Sequence, residues 1–139
     1  MTWNQLQRIC VICDTEDSQP KPVVLEQLLL LVNSPTKRKT TPLHFVALGT
    51  NLTLARWLLQ HGAEFFQNED DENPLHWACK YGHLPMIKLF LSHMSLCEII
   101  ETDYNNQSPL NWALEYKNHK AAKLLRTTIS QKRKTRNKK

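Results

Sequence analysis

Glycine is scarce in this sequence, and none of the short motifs that mark common enzymes is present. Only 3 of the 139 residues are glycine, and no glycine-rich phosphate loop, metal-binding helix motif or nucleophile elbow occurs. His61, His93 and His119 stand singly, without a serine, cysteine or carboxylate pattern that would supply a nucleophile and its base. We therefore expect neither catalytic residues nor a cofactor.

Long apolar runs are also missing. No run approaches the roughly 18 residues that a membrane span needs, and the N-terminus lacks the basic start and apolar core of a secretion signal. These absences predict an intracellular protein, cytoplasmic or nuclear, that does not contact a membrane. In such a compartment the four cysteines, at positions 10, 13, 79 and 97, are expected to be reduced thiols.

Cys10 and Cys13 are the candidates for metal ligands, because only two residues separate them. A structural zinc site needs about four ligands, and no second pair of cysteines or histidines stands at the usual spacing. Both cysteines also continue an apolar stripe that begins at Trp3 and Leu6. We therefore predict that they pack in a core and bind no metal.

What the sequence does contain is one segment repeated three times. The stretch NPLHWACKYGHLPMIKLFL at 73–91 aligns without a gap with residues 40–59 and with residues 108–125. The steps between successive units are 32 and 35 residues. Self-similarity at such a period is typical of a solenoid of stacked units.

Each unit has the pattern of a helical hairpin. A residue that can cap a helix, followed by proline, opens every unit, at Thr41, Asn73 and Ser108. Apolar residues then recur at i, i+3 and i+4 in two stripes that a break separates. The first stripes are Leu43/Val46/Ala47, Leu75/Ala78/Cys79 and Leu110/Ala113/Leu114; the second are Leu54/Trp57/Leu58, Met86/Leu89/Phe90 and Ala121/Leu124/Leu125.

The pattern resembles the ankyrin repeat, whose signature T-P-L-H-x-A stands here as TPLHFV, NPLHWA and SPLNWA. The resemblance implies an all-α solenoid of about four stacked units in one domain of residues 1–130. It also implies a structural role for His44 and His76, each bonded to its own turn and to the neighbouring repeat. The expected units are a degenerate N-terminal cap at 1–35 and repeats at about 36–67, 68–102 and 103–130.

The sequence departs from the ankyrin pattern at three points. Thr50 and Lys117 stand where the middle unit has Gly82, and Asn111 replaces the signature histidine of the last unit. The glycine ending expected after His93 is missing.

The resemblance further implies that the protein binds another protein. In ankyrin repeats the first helices and the hairpin tips line a concave face that contacts the partner, so we expect a monomeric interaction module that acts as an inhibitor or adaptor. For Phe45, Trp77 and Trp112 an alternative stays open, namely that the rings only pack between repeats. The residues expected at the contact are Phe45, Trp77, Tyr81, Trp112 and Tyr116 from the first helices, and Asp70, Asp71, Tyr104 and Asn105 from the tips.

The tips differ in charge, which would give a bound partner a direction. The tip at Lys37–Lys39 is basic, whereas the tip at Glu69–Glu72 is acidic. Opposite charges at two places of one binding face discriminate between the two ways in which a partner could lie across it.

Basic residues are concentrated at the C-terminal end. Six of the 18 lysines and arginines lie in the last eight residues, which leaves 12 basic against 13 acidic residues in positions 1–131. Such a cluster is typical of a nuclear-localisation or nucleic-acid patch, and the alternative is a solvated end that keeps the last repeat soluble. We expect residues 131–139 to be a disordered tail that carries Lys132, Arg133, Lys134, Arg136, Lys138 and Lys139.

Two further hypotheses about function stay open. One is a nuclear or nucleic-acid-associated adaptor that contacts nucleic acid through the tail only. The other is a host-directed effector of an intracellular bacterium or a virus, acting in the host cell, for which no residue argues. The fold does not identify the partner, because one scaffold serves unrelated ligands.

Overall fold

The computed structural model describes residues 39–81 and 83–137, and within these ranges the secondary structure consists of seven helices and no strand. The expected N-terminal cap at 1–35 lies outside the described residues, as do Cys10 and Cys13. The helices are α1 (Pro42–Ala47), α2 (Leu52–Gln60), α3 (Pro74–Tyr81), α4 (Leu84–His93), α5 (Leu96–Ile99), α6 (Pro109–Glu115) and α7 (His119–Asn137).

The first helix of every unit begins at the predicted proline. α1, α3 and α6 start at Pro42, Pro74 and Pro109, where the missing amide hydrogen of proline costs no helical hydrogen bond. The Asn73 Oδ1 accepts from the backbone N–H of His76 at 3.0 Å, and the Ser108 Oγ accepts from the backbone N–H of Asn111 at 3.3 Å. The local sequence therefore decides where these helices begin.

The helices form two layers. α1, α3 and α6 pack side by side as an inner layer, and α2, α4 and α7 form an outer layer behind them. Each inner helix is joined to the outer helix that follows it, so every described unit is a hairpin that packs against its neighbours. The predicted all-α solenoid is confirmed for the part of the chain that the structure describes.

The predicted stripes form the core. Members such as Leu43, Leu75, Met86 and Phe90 are completely buried. Leu114 differs, because 38% of its surface is exposed although the equivalent Ala47 and Cys79 are buried. The reason is its place at the end of the stack, since no inner helix follows α6 among the described residues.

The middle unit ends differently from the unit before it. Gly62 follows α2 with φ of 94°, the left-handed conformation in which a glycine commonly ends a helix. After α4 the chain instead forms the short helix α5, opened by a capping box in which Ser95 and Glu98 bond each other's backbone N–H groups. This extra turn, which buries Ile99, accompanies the longer step of 35 residues between the last two units.

A break with left-handed backbone separates α6 from α7. Lys117, which replaces the expected glycine, has φ of 60°. The amide of Asn118 donates to the carbonyl oxygens of Cys79 at 2.6 Å and Lys80 at 2.9 Å, near the end of α3. Helices leave their last carbonyls without internal partners, so this side chain satisfies two of them and joins the last unit to the middle one.

The last helix is longer than expected. α7 continues through residues 131–137, which we expected to belong to a disordered tail, and ends at Asn137. Extending an existing helix adds one hydrogen bond for each residue ordered, whereas a new helix must first pay for nucleation. Lysine, arginine and glutamine also have high helix propensity. A low apolar content therefore did not exclude helical structure in this segment.

Candidate functional site: the inner-helix face

The acidic tip at Glu69–Glu72 belongs to a turn of residues 68–72, and one buried side chain organises this turn. The Asn68 Oδ1 accepts from the backbone N–H groups of Asp70 at 2.9 Å and Glu72 at 3.0 Å. Asp71 has φ of 60°, a left-handed conformation that aspartate tolerates better than most residues. Asp70 and Asp71 are exposed, as expected for residues at the end of a tip.

The second tip, residues 103–107, repeats this geometry 35 residues later. The Asp103 Oδ1 accepts from the backbone N–H groups of Asn105 at 2.9 Å and Gln107 at 2.8 Å. The two tips are joined by the Tyr104 backbone N–H, which donates to the Asp70 carbonyl oxygen at 2.9 Å. Tyr104 and Asn105 are exposed, so the predicted tip residues lie on one continuous edge.

His44 and His76 hold the tips against the inner helices. The His44 Nε2 donates to the Glu72 carbonyl oxygen at 2.7 Å, and the His76 Nε2 donates to the Gln107 carbonyl oxygen at 2.9 Å. Each Nδ1 lies within hydrogen-bonding distance of the backbone N–H that precedes its own helix. The structural role expected of these histidines is therefore present in both units.

Burial lowers the pKa of both imidazoles and so favours their neutral form. Burial lowers the pKa of His44 to about 4, although its hydrogen bond to the Glu72 carbonyl opposes part of that change. The pKa of His76 is also lowered, chiefly by burial. Asn111, at the equivalent position of the last unit, is exposed and so is not buried as the two histidines are.

The two tryptophans of the inner helices are anchored to carboxylates of the tips. The Trp77 Nε1 donates to the Glu72 Oε1 at 2.9 Å, and the Trp112 Nε1 donates to the Asp103 Oδ2 at 2.9 Å. Trp77 also makes edge contacts with rings of the preceding unit. Its ring centroid lies 5.1 Å from that of His44 and 6.1 Å from that of Phe45. The rings therefore do pack between repeats.

These three aromatic residues differ in how much surface a partner could reach. Phe45 is buried, whereas Trp77 and Trp112 are half-buried. The packing interpretation accordingly accounts fully for Phe45 and partly for the tryptophans.

A second group of side chains lies at the opposite end of the inner helices. Tyr81 and Tyr116 are 56% and 44% exposed, and the Lys80 Nζ lies 5.7 Å and 5.3 Å from the centroids of their rings. Lys80 thus joins aromatic residues of two units by cation–π contacts. We call Lys80, Tyr81 and Tyr116 the tyrosine–lysine cluster.

The residues expected at the contact with a partner lie in two groups and not in one. The acidic tip precedes α3 and Tyr81 ends it, so the 8 residues of that helix separate the two by about 10 Å. Trp112 bridges the distance in the last unit, because its ring centroid lies 6.0 Å from that of Tyr116. The inner-helix face, formed by α1, α3, α6 and the two tips, therefore has two contact areas.

Sequence reasoning missed three residues of this face. Asn68 and Asp103 shape the tips, and their spacing of 35 residues, which equals the repeat step, was the available signal. Nothing in the sequence indicated a role for Lys80, because its partner Tyr116 belongs to another unit. Of the basic tip, Lys39 is described and exposed, whereas residues 37 and 38 lie outside the description.

The basic residues at the C-terminal end belong to α7. Lys132, Arg133 and Lys134 lie within the helix, and Arg136 lies in its last turn. Lys138 and Lys139 fall outside the described residues.

The described residues contain no group of three histidine, cysteine or acidic side chains that could hold a metal ion. Cys79 is buried, and burial raises the pKa of its thiol. Among the same residues, no helix combines the length and apolar character needed to cross a membrane.

Comparison with known proteins identifies the repeat. A family model described as ankyrin repeats (3 copies) matches residues 19–95 and 43–135. Palmitoyltransferase ZDHHC13 of Homo sapiens is 41% identical over 64 residues, and palmitoyltransferase ZDHHC17 of Rattus norvegicus is 38% identical over 58 residues. The matches cover 45% and 40% of this chain, but only 10% and 9% of those relatives. The similarity therefore extends over about a tenth of either enzyme.

Proposed function

The chain belongs to the ankyrin-repeat family, and from that premise we propose that it binds a partner protein through the inner-helix face. Ankyrin repeats are protein-interaction modules. The finer proposal is that the tyrosine–lysine cluster supplies the anchor of the interface and the acidic tip supplies its rim.

The observation that carries this proposal is the exposure of Tyr81 and Tyr116. Both rings occupy the position that Gly49 occupies in the first described unit, so stacking of the units does not require a ring there. An exposed aromatic side chain that the fold does not need is typical of an interface anchor. Such anchors contribute about 2 kcal/mol or more each when a partner covers them.

Lys80 adds a polar contact to the same cluster. Its ammonium lies near both tyrosine rings, and these contacts keep it at the inner-helix face. A partner segment that places an apolar side chain between the rings and a carbonyl or carboxylate oxygen at Lys80 would satisfy all three residues.

The acidic tip suits a different part of the partner. Asp70 and Asp71 are exposed, whereas the carboxylate of Glu72 is already engaged with Trp77. Exposed rim charges chiefly steer the approach of an oppositely charged surface. We therefore propose that the partner carries basic residues about one inner-helix length from its apolar anchor.

We propose an adaptor rather than an inhibitor. The similar segments of the palmitoyltransferases form about a tenth of much longer proteins. A short non-catalytic module in a long enzyme is suited to bringing other proteins to it, and the same role is proposed here for a monomeric chain. Cys79 and Cys97 carry free thiols, which is consistent with a reducing compartment inside the cell.

The test is affinity capture with the full chain, followed by measurement of each captured partner. The double variant Tyr81→Ala/Tyr116→Ala should lose the partner while keeping its melting temperature. Arg56→Ala in α2, an exposed outer-layer residue, is the control and should bind as the parent chain does. Equal binding by the tyrosine variant, with loss of binding on Arg56→Glu, would place the interface on the outer helices and refute the proposal.

A further inference from the structure

The last helix, α7, carries charges of one sign only, and binding through the inner-helix face does not involve them. Its 19 residues contain seven lysines and arginines and no acidic residue. At 1.5 Å per residue the helix is about 28 Å long. The basic residues are Lys120, Lys123, Arg126, Lys132, Arg133, Lys134 and Arg136.

The body of the protein orients these charges outward. Ala121, Ala122 and Leu125 are buried against the core, whereas Lys120, Lys123 and Arg126 are exposed. Farther along the helix, Arg133 and Lys134 are exposed as well. Because α7 is packed along one side, these five exposed cations are held on the surface of a fixed helix.

α7 also extends beyond the other outer helices. α2 and α4 have 9 and 10 residues, against 19 in α7. The difference of roughly nine residues corresponds to about 13 Å of additional helix. Of residues 130–135 in the extended part, Lys132 is half-buried and the others are exposed.

A groove of about 470 Å³ between α4 and α7 adds a cation from a neighbouring unit. Lys88 of α4 and Lys132 of α7 both line it. The Thr128 and Thr135 hydroxyls in this groove donate to carbonyl oxygens of their own helix, so the lysines and the amide of Gln131 are its donors toward a ligand. Positive charge with hydrogen-bond donors is the chemistry that receives phosphate oxygens.

We propose that α7, together with Lys88, binds the phosphate backbone of duplex nucleic acid. Double-stranded DNA carries one negative charge for about every 1.7 Å of its axis. A straight cationic helix of about 28 Å therefore faces many phosphates at once, and its diameter of about 10–12 Å matches the width of the major groove. The contact is independent of base sequence, because it is made to phosphates.

The structure favours nucleic acid over a membrane surface. A helix that lies on a membrane inserts an exposed apolar face among the lipids. The apolar face of α7 is already buried against α4 and α6, so no such face remains for lipid. The inference goes beyond the proposed function, because α7 belongs to the outer layer and the partner-binding residues belong to the inner one.

The experiment measures fluorescence anisotropy of a labelled 20-base-pair DNA duplex with the full chain across a range of salt concentrations. The parent chain should bind with an affinity that falls steeply as salt rises. Lys123→Gln/Lys134→Gln should reduce the slope of log K against log salt by about 2. Since each phosphate contact contributes a slope of about 0.9, the same variant should bind at least about tenfold more weakly at 0.1 M salt.

A matched control removes the same amount of charge elsewhere. Arg56 and Lys117 are exposed and lie outside α7, so Arg56→Gln/Lys117→Gln should bind DNA as the parent chain does. Circular dichroism of both variants checks that the fold is retained. An equal loss of binding in the two double variants would overturn the assignment to α7.

Two competing ligands distinguish nucleic acid from other anionic partners. Poly-L-glutamate and vesicles of phosphatidylserine and phosphatidylcholine are titrated at the same salt concentration. Weaker binding to both than to the duplex supports the proposal. Equal or tighter binding to either ligand would overturn it in favour of an acidic protein or a membrane.

Discussion

The His44 Nε2 lies 2.7 Å from the main-chain carbonyl oxygen of Glu72, so a fully buried imidazole ties one ankyrin unit to the hairpin tip of the next. The two residues are 28 positions apart in the sequence. The same bond, from His76 to Gln107, recurs one unit later. These two contacts explain why the tips stand in line along the inner-helix face.

His44→Ala should destabilise the protein strongly. The change opens a cavity in the core and leaves the Glu72 carbonyl without its donor, for an expected loss of about 2–4 kcal/mol. Urea unfolding followed by circular dichroism measures the loss. Asn111→Ala, at the same position of the last unit but exposed, is the control and should change stability by no more than about 0.5 kcal/mol.

Stability should fall as the pH is lowered from about 6.5 toward 4. The unfolded chain binds a proton on His44 near pH 6.5, whereas burial lowers the folded pKa to about 4. The unfolded state therefore holds more protons in this window, so the contribution is present above it and is lost as the pH falls. The shift corresponds to about 3 kcal/mol, and the lowered pKa of His76 acts in the same direction.

Urea unfolding at pH 4.5, 5.5, 6.5 and 7.5 checks this dependence. The variant His44→Gln has no titrating group at this position, so its profile should be flatter than that of the parent chain. Parallel profiles for the two proteins would contradict the assignment to His44.

Asp103→Ala should destabilise the protein more than Asp103→Asn does. Asp103 is buried and accepts from two backbone N–H groups and from the Trp112 indole. Alanine removes both acceptor oxygens and with them all three hydrogen bonds, for an expected loss of about 2–3 kcal/mol. Asparagine keeps the oxygen that shapes the tip, as Asn68 does in the preceding tip, and loses only the acceptor of the Trp112 indole. Thermal unfolding of the two variants makes the comparison, and equal losses would show that the carboxylate charge matters more than the turn.

Asp70→Lys/Asp71→Lys should slow partner association without unfolding the protein. Both side chains are exposed, and lysine tolerates the left-handed backbone of position 71, since Lys39 and Lys117 adopt it in this chain. Reversing rim charges acts mainly on the association rate. Surface plasmon resonance with the captured partner should show a lower association rate at low salt. The difference should shrink at high salt, and a change confined to dissociation would contradict steering by the tip.

Deletion of residues 131–139 should remove DNA binding and leave the fold intact. Among the deleted residues that the structure describes, only Lys132 is half-buried and the other visible side chains are exposed. The expected change in unfolding free energy is below about 1 kcal/mol, as for surface positions generally. Differential scanning calorimetry and DNA titration of the same preparation measure both effects. A large drop in melting temperature would mean that the end of α7 supports the stack.

Local pattern was sufficient for the elements that depend on neighbouring residues. The three proline starts, the buried stripes and the left-handed ending at Gly62 follow from capping, helical periodicity and backbone sterics. Repetition then predicted the stack, because a unit that cannot bury its apolar face alone must lie against another copy of itself.

Local pattern was insufficient where a helix competes with disorder or with another ending. α5 arises because the Ser95 and Glu98 capping box closes a turn in place of the missing glycine. The extension of α7 past residue 130 depends on the helix that is already formed before it. The composition of residues 131–139 alone does not show that this helix precedes them.

The sequence by itself determined the family, the helix starts and the core, because each depends on residues within one repeat. Only the tertiary structure decided which side chains meet between repeats: Trp77 with Phe45, Trp112 with His76, and Lys80 with Tyr116. The last of these pairs is separated by 36 positions, and its side chains become neighbours only when the inner helices stack. The inner-helix face therefore has two separate areas, the tips with the tryptophans and the tyrosine–lysine cluster. The sequence of one repeat does not show this division, because contacts between units depend on how whole helices pack.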